Sequence, residues 1–389
     1  MKTILRLIVI TATMAMFSCA AEQKQASTSG IPDNAASKPI VIDVDNPTLD
    51  QPPAITDLID TVFLIPFKGD GLIMTDNPRA YKYGDRIFVT ENDVDEPLKV
   101  FDGNGNLIRA IRKGNGPGEV NGHFFNNIFY DKEKETLYIS NKKEWSKFDR
   151  NGNFLGKEKI PFDYMGMCRV KDEYVFCSSS FWTDPSINNH IFVTDGDFNV
   201  THKYIPSTGK RPYGGSLPNT PLGTADGHAY IMRDTIYWYQ NSKLTPQYYY
   251  KYYDRFDPYD PASANTSGGP CGLKGFAQDY YFENSQTTAH AIEYFCKSHK
   301  YIFRDKKSGN FFVCAREYGR SSDWKPLPWY CIIWTITDDG YFVSHINDYY
   351  YNDFKNGIKD FLSPEDKKIL NSYKPDDNPI LVLFKFKSF

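Results

Sequence analysis

Leu98-Lys-Val-Phe-Asp-Gly-Asn-Gly-Asn-Leu-Ile-Arg-Ala-Ile-Arg-Lys-Gly-Asn-Gly-Pro-Gly-Glu119 sets the grammar of this chain. Leu98, Val100 and Leu107 to Ile111 place apolar residues on two short segments around Asn104-Gly105, the strongest two-residue hairpin signal a sequence carries. With Asn104 and Gly105 as the turn, Phe101 lies opposite Ile108, an aromatic against a β-branched side chain, which is a stabilising cross-strand pair. The remainder, Arg112 to Glu119, is a glycine-rich exit from that hairpin.

The same grammar returns at Lys147-Phe-Asp-Arg-Asn-Gly-Asn-Phe-Leu155, where Phe148 follows Phe101 by 47 residues and falls opposite Leu155. A degraded copy, Val193-Thr-Asp-Gly-Asp-Phe-Asn-Val200, places Asp195 46 residues after Asp149. Leu137-Tyr-Ile-Ser140 likewise repeats Ile87-Phe-Val-Thr90. A repeat of about 40 to 50 residues built only of strands and turns is the signature of a β-propeller blade with four strands.

Between Tyr204 and Ala289 the repeat fades, with a Pro, Gly and Ser-rich loop from Pro258 to Gly272. It recovers at Tyr301 to Arg304 and Phe311 to Cys314, and Trp329 to Ile336 pairs with Tyr341 to Ile346 around Asp338-Asp-Gly340. Ser363 followed by Pro364, Glu365 and Asp366 predicts a short helix to Asn371, the last hydroxyl before it acting as N-cap. The final apolar run, Ile380 to Lys387, is the natural partner of Thr61 to Pro66, and pairing them closes the ring and shields two apolar edges. About 330 residues lie between these runs, which at roughly 50 to 55 per blade gives six blades. The expected fold is therefore all-β, a six-bladed propeller of four-stranded antiparallel blades with one short C-terminal helix.

The 389 residues are 41% hydrophobic and 16% aromatic, a composition that favours β-structure and one large core. The formal charge of -3 and the lack of a Lys/Arg-rich run offer nothing to nucleic acid. Met1 to Arg6 is a cationic start, Leu7 to Phe17 a short apolar run, and Ser18-Cys19-Ala20 ends it, the pattern of a secretory leader. The small residue before Cys19 resembles a bacterial lipobox, which predicts cleavage after residue 18 and lipidation of Cys19. The division expected is 1–18 signal peptide, 19–54 flexible tether and 55–389 propeller, with the membrane reached through the N-terminal lipid alone.

Six further cysteines are scattered over the domain rather than densely spaced. If Asp172-Glu173 turn the hairpin of Met165 to Ser178, Cys168 and Cys177 stand directly opposite one another; they are then either a cross-strand disulfide or two small buried hydrophobes. No Cys/His spacing suggests zinc, and no motif calls for a cofactor. Asp102-Gly-Asn-Gly-Asn106 resembles the start of an EF-hand loop but puts Leu107 where Gly is needed and Lys113 where a bidentate Glu is needed. The glycine-rich exit lacks the Gly-Lys-Ser/Thr ending of a phosphate loop. It reads as the crossing to the next blade, and such crossings line one face of a propeller, so Arg112, Glu119 and His123 are candidate ligand residues. Trp145 and Trp182 sit near inter-strand loops, where aromatics serve either sugar or peptide binding or packing between blades.

The combination of Asp57-Leu-Ile-Asp-Thr-Val-Phe-Leu-Ile-Pro66, Ile87-Phe-Val-Thr90, Val100-Phe-Asp-Gly-Asn-Gly105, Lys113-Gly-Asn-Gly-Pro-Gly-Glu119 and Asp377-Asn-Pro-Ile-Leu-Val382 resembles the six-bladed, NHL-like β-propeller lipoproteins of Bacteroidetes. The resemblance covers essentially the whole mature chain and implies an outer-membrane, cell-envelope address without a settled activity. A non-catalytic binding module for a glycan, peptide or partner protein is the expected role. The alternatives are a metal-dependent hydrolase or lyase of the lactonase-like propeller class, whose ligands would come from different blades, and a structural subunit of an envelope complex.

Overall fold

The computed structural model describes residues 38–69, 73, 78–91, 96–120, 128–141, 143–178, 184–207, 222–232, 235–252, 276–294, 298–317, 328–347, 351–374 and 377–389; Cys19, His123 and Trp182 lie outside them. Six antiparallel sheets form in chain order. Blade 1 is Arg79–Tyr83, Arg86–Thr90, Leu98–Asp102 and Leu107–Ile111; blade 2 is Ile128–Asp131, Thr136–Asn141, Glu144–Asp149 and Phe154–Lys159. Blade 3 is Gly166–Val170, Glu173–Cys177, Asn189–Thr194 and Val200–Pro206; blade 4 is Leu222–Ala225, His228–Met232, Ile236–Gln240 and Lys243–Lys251. Blade 5 is Phe276–Glu283, Thr287–Tyr294, Ser298–Asp305 and Phe311–Glu317. Blade 6 runs outward from Thr335–Ile336 through Phe342–Ile346 and Ile380–Phe386 to the N-terminal strand Ile59–Pro66.

These strands are apolar on both faces because both faces are buried, each against a neighbouring blade. One apolar cluster straddles every interface: Val100 with Leu137 between blades 1 and 2, Trp145 with Phe176 between 2 and 3, and Val175 with Tyr239 between 3 and 4. Tyr230 with Tyr281 joins blades 4 and 5, Phe303 with Phe386 joins 5 and 6, and Leu381 with Phe101 joins 6 back to 1. The last of these makes the ring closed. As expected, closure is by strands from both ends of the chain, Val62 pairing with Phe384 and Leu64 with Val382.

The outer edges of blades 6 and 4 are covered, which removes two open strand templates that invite association. The helix Pro364–Ser372, capped by Ser363 accepting from Asp366 N at 3.0 Å, lies over blade 6, where Asp366 Oδ1 accepts from Leu64 N at 3.1 Å. Blade 4 gains a fifth, parallel strand, Ile40–Asp43, paired with Tyr248 to Lys251. Residues from Ile40 onward, expected as tether to residue 54, are therefore part of the fold. From there the chain is a strap: Val44 is buried, Thr48 Oγ1 donates to Phe311 O at 3.1 Å and accepts from Phe311 N at 2.7 Å, and the chain then enters blade 6 at Ile59. Pro and Ala in this stretch read as a linker, yet backbone groups of blades 4 and 5 are its partners.

The repeated hairpins differ from expectation by one residue. Asp102 N donates to Asn106 O at 3.0 Å and Gly105 N to Asp102 O at 3.0 Å, a three-residue loop ending in Gly105 at φ +80°. That is a turn followed by a glycine bulge rather than a two-residue turn. Phe101 is accordingly opposite Leu107, and Phe148 opposite Phe154. The aspartate is the reason. Asp102 Oδ1 accepts from Asn104 N and Asn106 N at 2.9 Å and Oδ2 from the Asn106 amide at 2.8 Å, and Asp149 and Asp195 repeat the pattern. The bond from Asn106 holds the Asp102 carboxyl below its ordinary value, and the bond from Asn199 does the same for Asp195. A carboxylate with these donors is turn punctuation, not a calcium ligand. In the third copy Phe198 takes the left-handed position at φ +62°, a cost of about 1 kcal/mol for a non-glycine residue. Its ring compensates by packing on Trp145 at 5.2 Å.

Two other expectations are corrected. The blade 3 hairpin turns on Lys171-Asp172, with Lys171 at φ +54°, so Cys168 pairs with Val175 and Cys177 with Gly166. Both thiols are free and buried, the small-hydrophobe outcome. Trp329 to Ile336 is not one strand: Pro328 opens a 3-10 turn over Trp329–Cys331 whose three side chains are all buried, leaving only Thr335–Ile336 in the sheet.

Candidate functional site

The innermost strands of all six blades surround a channel of roughly 880 Å³. Its volume falls in the range of small-molecule sites, about 300 to 1,000 Å³. Charges gather at one end, where the first hairpins of the blades turn. Lys132 of blade 2 meets Asp338 of blade 6 at 2.6 Å, and Asp338 also accepts from Gly84 N of blade 1 at 3.2 Å. Arg169 of blade 3 meets Asp131 of blade 2 at 2.5 Å and Glu133 at 3.0 Å. These acids and bases face one another, so they tie blades together at this end of the channel.

The walls are aromatic. On blade 5, alternation along the first and third strands, which flank Thr287–Tyr294, puts Tyr280, Phe282, His299 and Tyr301 on one face. Tyr280 stacks on Phe282 with centroids 5.2 Å apart, Tyr301 stands 6.3 Å from Tyr280, and His299 stacks on Tyr301 at 5.9 Å. This ladder is accessible because the inner strand of blade 6 has two residues, and the segment Cys331 to Trp334 bounds the gap. Tyr280 Oη donates to Cys331 O at 3.1 Å, fixing the ladder to that segment. Across the channel stand Tyr81 and Phe129, and burial raises the Tyr81 phenol above its ordinary value. Trp334 shares this wall, and its buried Nε1 has no acceptor among the described residues.

A deeper feature lies between blades 4 and 5. Glu283 is fully buried; its Oε1 meets His228 Nε2 at 2.5 Å, and its Oε2 accepts from Trp238 Nε1 at 3.1 Å and from the Tyr281 hydroxyl. Lys306 stands 3.8 Å from the same carboxylate and 5.1 Å above the Trp238 ring. A buried charge needs such a full complement of donors.

None of the described ligand candidates from sequence, Arg112, Glu119 and Trp145, lies on the channel wall, whereas Cys168 does. Glu119 turns back on its own loop: Oε2 accepts from Gly116 N at 2.8 Å, and a Cβ on Gly114 would stand 2.1 Å from that oxygen. Arg112 gives its carbonyl to Val120 N at 3.0 Å and leaves its side chain in solvent. The Gly-Asn-Gly-Pro-Gly-Glu element is thus a self-closed connection. Trp145 is 1% exposed, donates Nε1 to the Tyr164 hydroxyl and packs between blades 2 and 3, so it is interface packing. Sequence reading missed the channel aromatics because period-two alternation marks strand faces without saying which face meets the channel. Among the described residues no group of three or more His, Cys, Asp or Glu is placed to hold a metal ion.

A family model described as a domain of unknown function, DUF4934, matches residues 39–385. The chain belongs to that family. Its match begins where the strap of this DUF4934 protein begins. Among solved structures the chain is similar to the "putative exported protein" of Bacteroides fragilis NCTC 9343, with 15% identity, TM-score 0.61, and 90% of this chain and 99% of that chain covered. That similarity bears on the fold, which it supports over nearly the full length of both chains. Weaker similarities are to the extracellular domain of the "putative one component system" of B. thetaiotaomicron, with 11% identity, TM-score 0.33, and 67% of this chain and 34% of that chain covered. The glutaminyl cyclase of Myxococcus xanthus follows with 10% identity, TM-score 0.32, and 67% and 97% covered. No curated protein matches the sequence.

Proposed function

We propose that this protein is a non-catalytic binding module of the cell envelope and that its central channel receives a short glycan. The observation that carries this reading is the His299–Tyr301–Tyr280–Phe282 ladder facing a channel of roughly 880 Å³. Half-buried aromatic faces offer an apolar platform for the C–H face of a sugar, and tyrosine tips offer hydroxyls for its polar edge. The Trp334 Nε1, buried and without an acceptor among the described residues, is a donor that a ligand oxygen reaches only if this wall opens. The lactonase-like alternative has no metal-ligating cluster among the described residues to support it.

Glycan-array screening of the soluble protein, followed by titration of the best hit, tests the reading. Tyr301→Ala and Trp334→Phe are each expected to weaken binding about tenfold, which corresponds to about 1.4 kcal/mol. Peptide-only binding, or glycan binding that neither substitution alters, overturns it.

The leader and Ser18-Cys19 support an N-terminal lipid anchor, which adds the address to the function. Radiolabelled palmitate is expected to label the wild type and to leave Cys19→Ala unlabelled and released from the membrane fraction. Label retained by Cys19→Ala sinks the anchor.

A further inference from the structure

One ion pair at the charged end of the channel differs from its neighbours in what it spans. Lys132 belongs to blade 2 and Asp338 to blade 6, so their 2.6 Å contact passes over blade 1, which stands between them in the ring. Both residues line the channel, and a chord between non-neighbouring blades lies on the inner side of a ring. The other pairs join adjacent blades: Arg169 of blade 3 to Asp131 of blade 2 at 2.5 Å, Lys306 of blade 5 to Asp226 of blade 4 at 3.6 Å, and Arg150 of blade 2 to Asp85 of blade 1. The two partners are also held differently. Asp338 is a fixed post, its side chain 13% exposed, with both carboxylate oxygens accepting from Gly84 N at 3.2 Å. The Lys132 side chain is 54% exposed, and its ammonium sits on a flexible four-carbon stem.

We propose that Lys132 is a gate: its side chain bars this mouth of the channel while it rests on Asp338, and opens the mouth by swinging into solvent. An exposed ion pair contributes little, because water solvates both charges and salt screens them, so the closed state is only modestly preferred and exchange is fast. A structural tie would bury both partners. The blades that the pair spans do not need it, since Leu381 with Phe101 joins blade 6 to blade 1, and Val100 with Leu137 joins blade 1 to blade 2. The gate is independent of what the channel receives. Two thiols of blade 3 can report on it. Cys168, 4% exposed and outside any disulfide, lines the channel, whereas Cys177, on the next strand, is fully buried and away from it.

The probe is N-ethylmaleimide, an uncharged thiol reagent that a change in protein charge neither attracts nor repels. Labelling rates at Cys168 and Cys177 of the full-length protein are followed by peptide mass spectrometry. Salt at about 1 M, which screens charges within a few ångströms, should speed labelling of wild-type Cys168 about fivefold, the upper range for loss of an exposed pair. Lys132→Ala should show that faster rate already at low salt and gain nothing more from salt. Lys132→Arg, which keeps a charged arm, should label slowly and retain the salt response. Cys177 should stay unchanged throughout. A Cys168 rate that neither salt nor Lys132→Ala moves overturns the gate. Labelling of Cys177 that rises in step with Cys168 overturns it too, because the fold rather than the mouth has then opened.

Discussion

Gly105→Ala is expected to destabilise the protein by about 3 to 4 kcal/mol, one of the largest single effects in the chain. Two causes add. At φ +80° an alanine pays about 1 to 2 kcal/mol for the left-handed conformation. A Cβ there would also stand 2.0 Å from Pro66 O of blade 6, and that atom is backbone. The hairpin must draw away, which breaks the bonds from Lys68 N to Gly105 O at 2.7 Å and from Leu107 N to Lys68 O at 3.3 Å, each worth about 1 kcal/mol. Gly196→Ala is the control, since Gly196 has no positive φ and nothing within 4 Å of its Cβ. Urea denaturation followed by circular dichroism should show a near-unchanged midpoint for the control and a large drop for Gly105→Ala. Equal midpoints would mean the close approach of blades 1 and 6 is absent in solution.

Glu283→Ala is expected to cost about 3 to 5 kcal/mol, because it strands the Trp238 indole, the Tyr281 hydroxyl and Lys306 in an apolar interface and removes the counter-charge. Glu283→Gln preserves shape yet turns an amide N–H₂ toward donors, so its loss should be about 2 kcal/mol. The diagnostic is the order of unfolding midpoints: wild type, then Gln, then Ala. An alanine variant within about 1 kcal/mol of wild type would show that the carboxylate contributes nothing net, the outcome seen where desolvation cancels attraction.

The ring itself was legible from the hairpin at Asp102 to Asn106 because its punctuation is local: an aspartate, a glycine and flanking apolar residues within one loop. Closure was legible for a different reason, since Ile59–Pro66 and Ile380–Phe386 are apolar edges that need one another. Register failed by one residue because the Asp102 side chain, rather than Asn-Gly alone, organises the loop. The site was hardly legible. Glu283, His228, Trp238 and Lys306 come together only after two blades pack, and the ladder of Tyr280 and Tyr301 depends on how short the inner strand of blade 6 is. The glycine-rich exit drew attention as a ligand loop because nothing in sequence shows that Glu119 closes upon Gly116.

The seam in blade 6 has a kinetic meaning. Leu64 waits for Asp366 and Val382, and Ile73 N for Asn378 Oδ1, partners about 300 residues later. A chain emerging from its N-terminus can build blades 1 to 5 from neighbouring hairpins, yet it holds one strand in reserve throughout. Contacts of such sequence separation slow folding, since the closure entropy is spent before the seam rewards it. The final event is then the arrival of Ile380–Phe386 between two strands already waiting. Until then the nascent protein is an open arc, and its identity as a ring belongs to its last few residues.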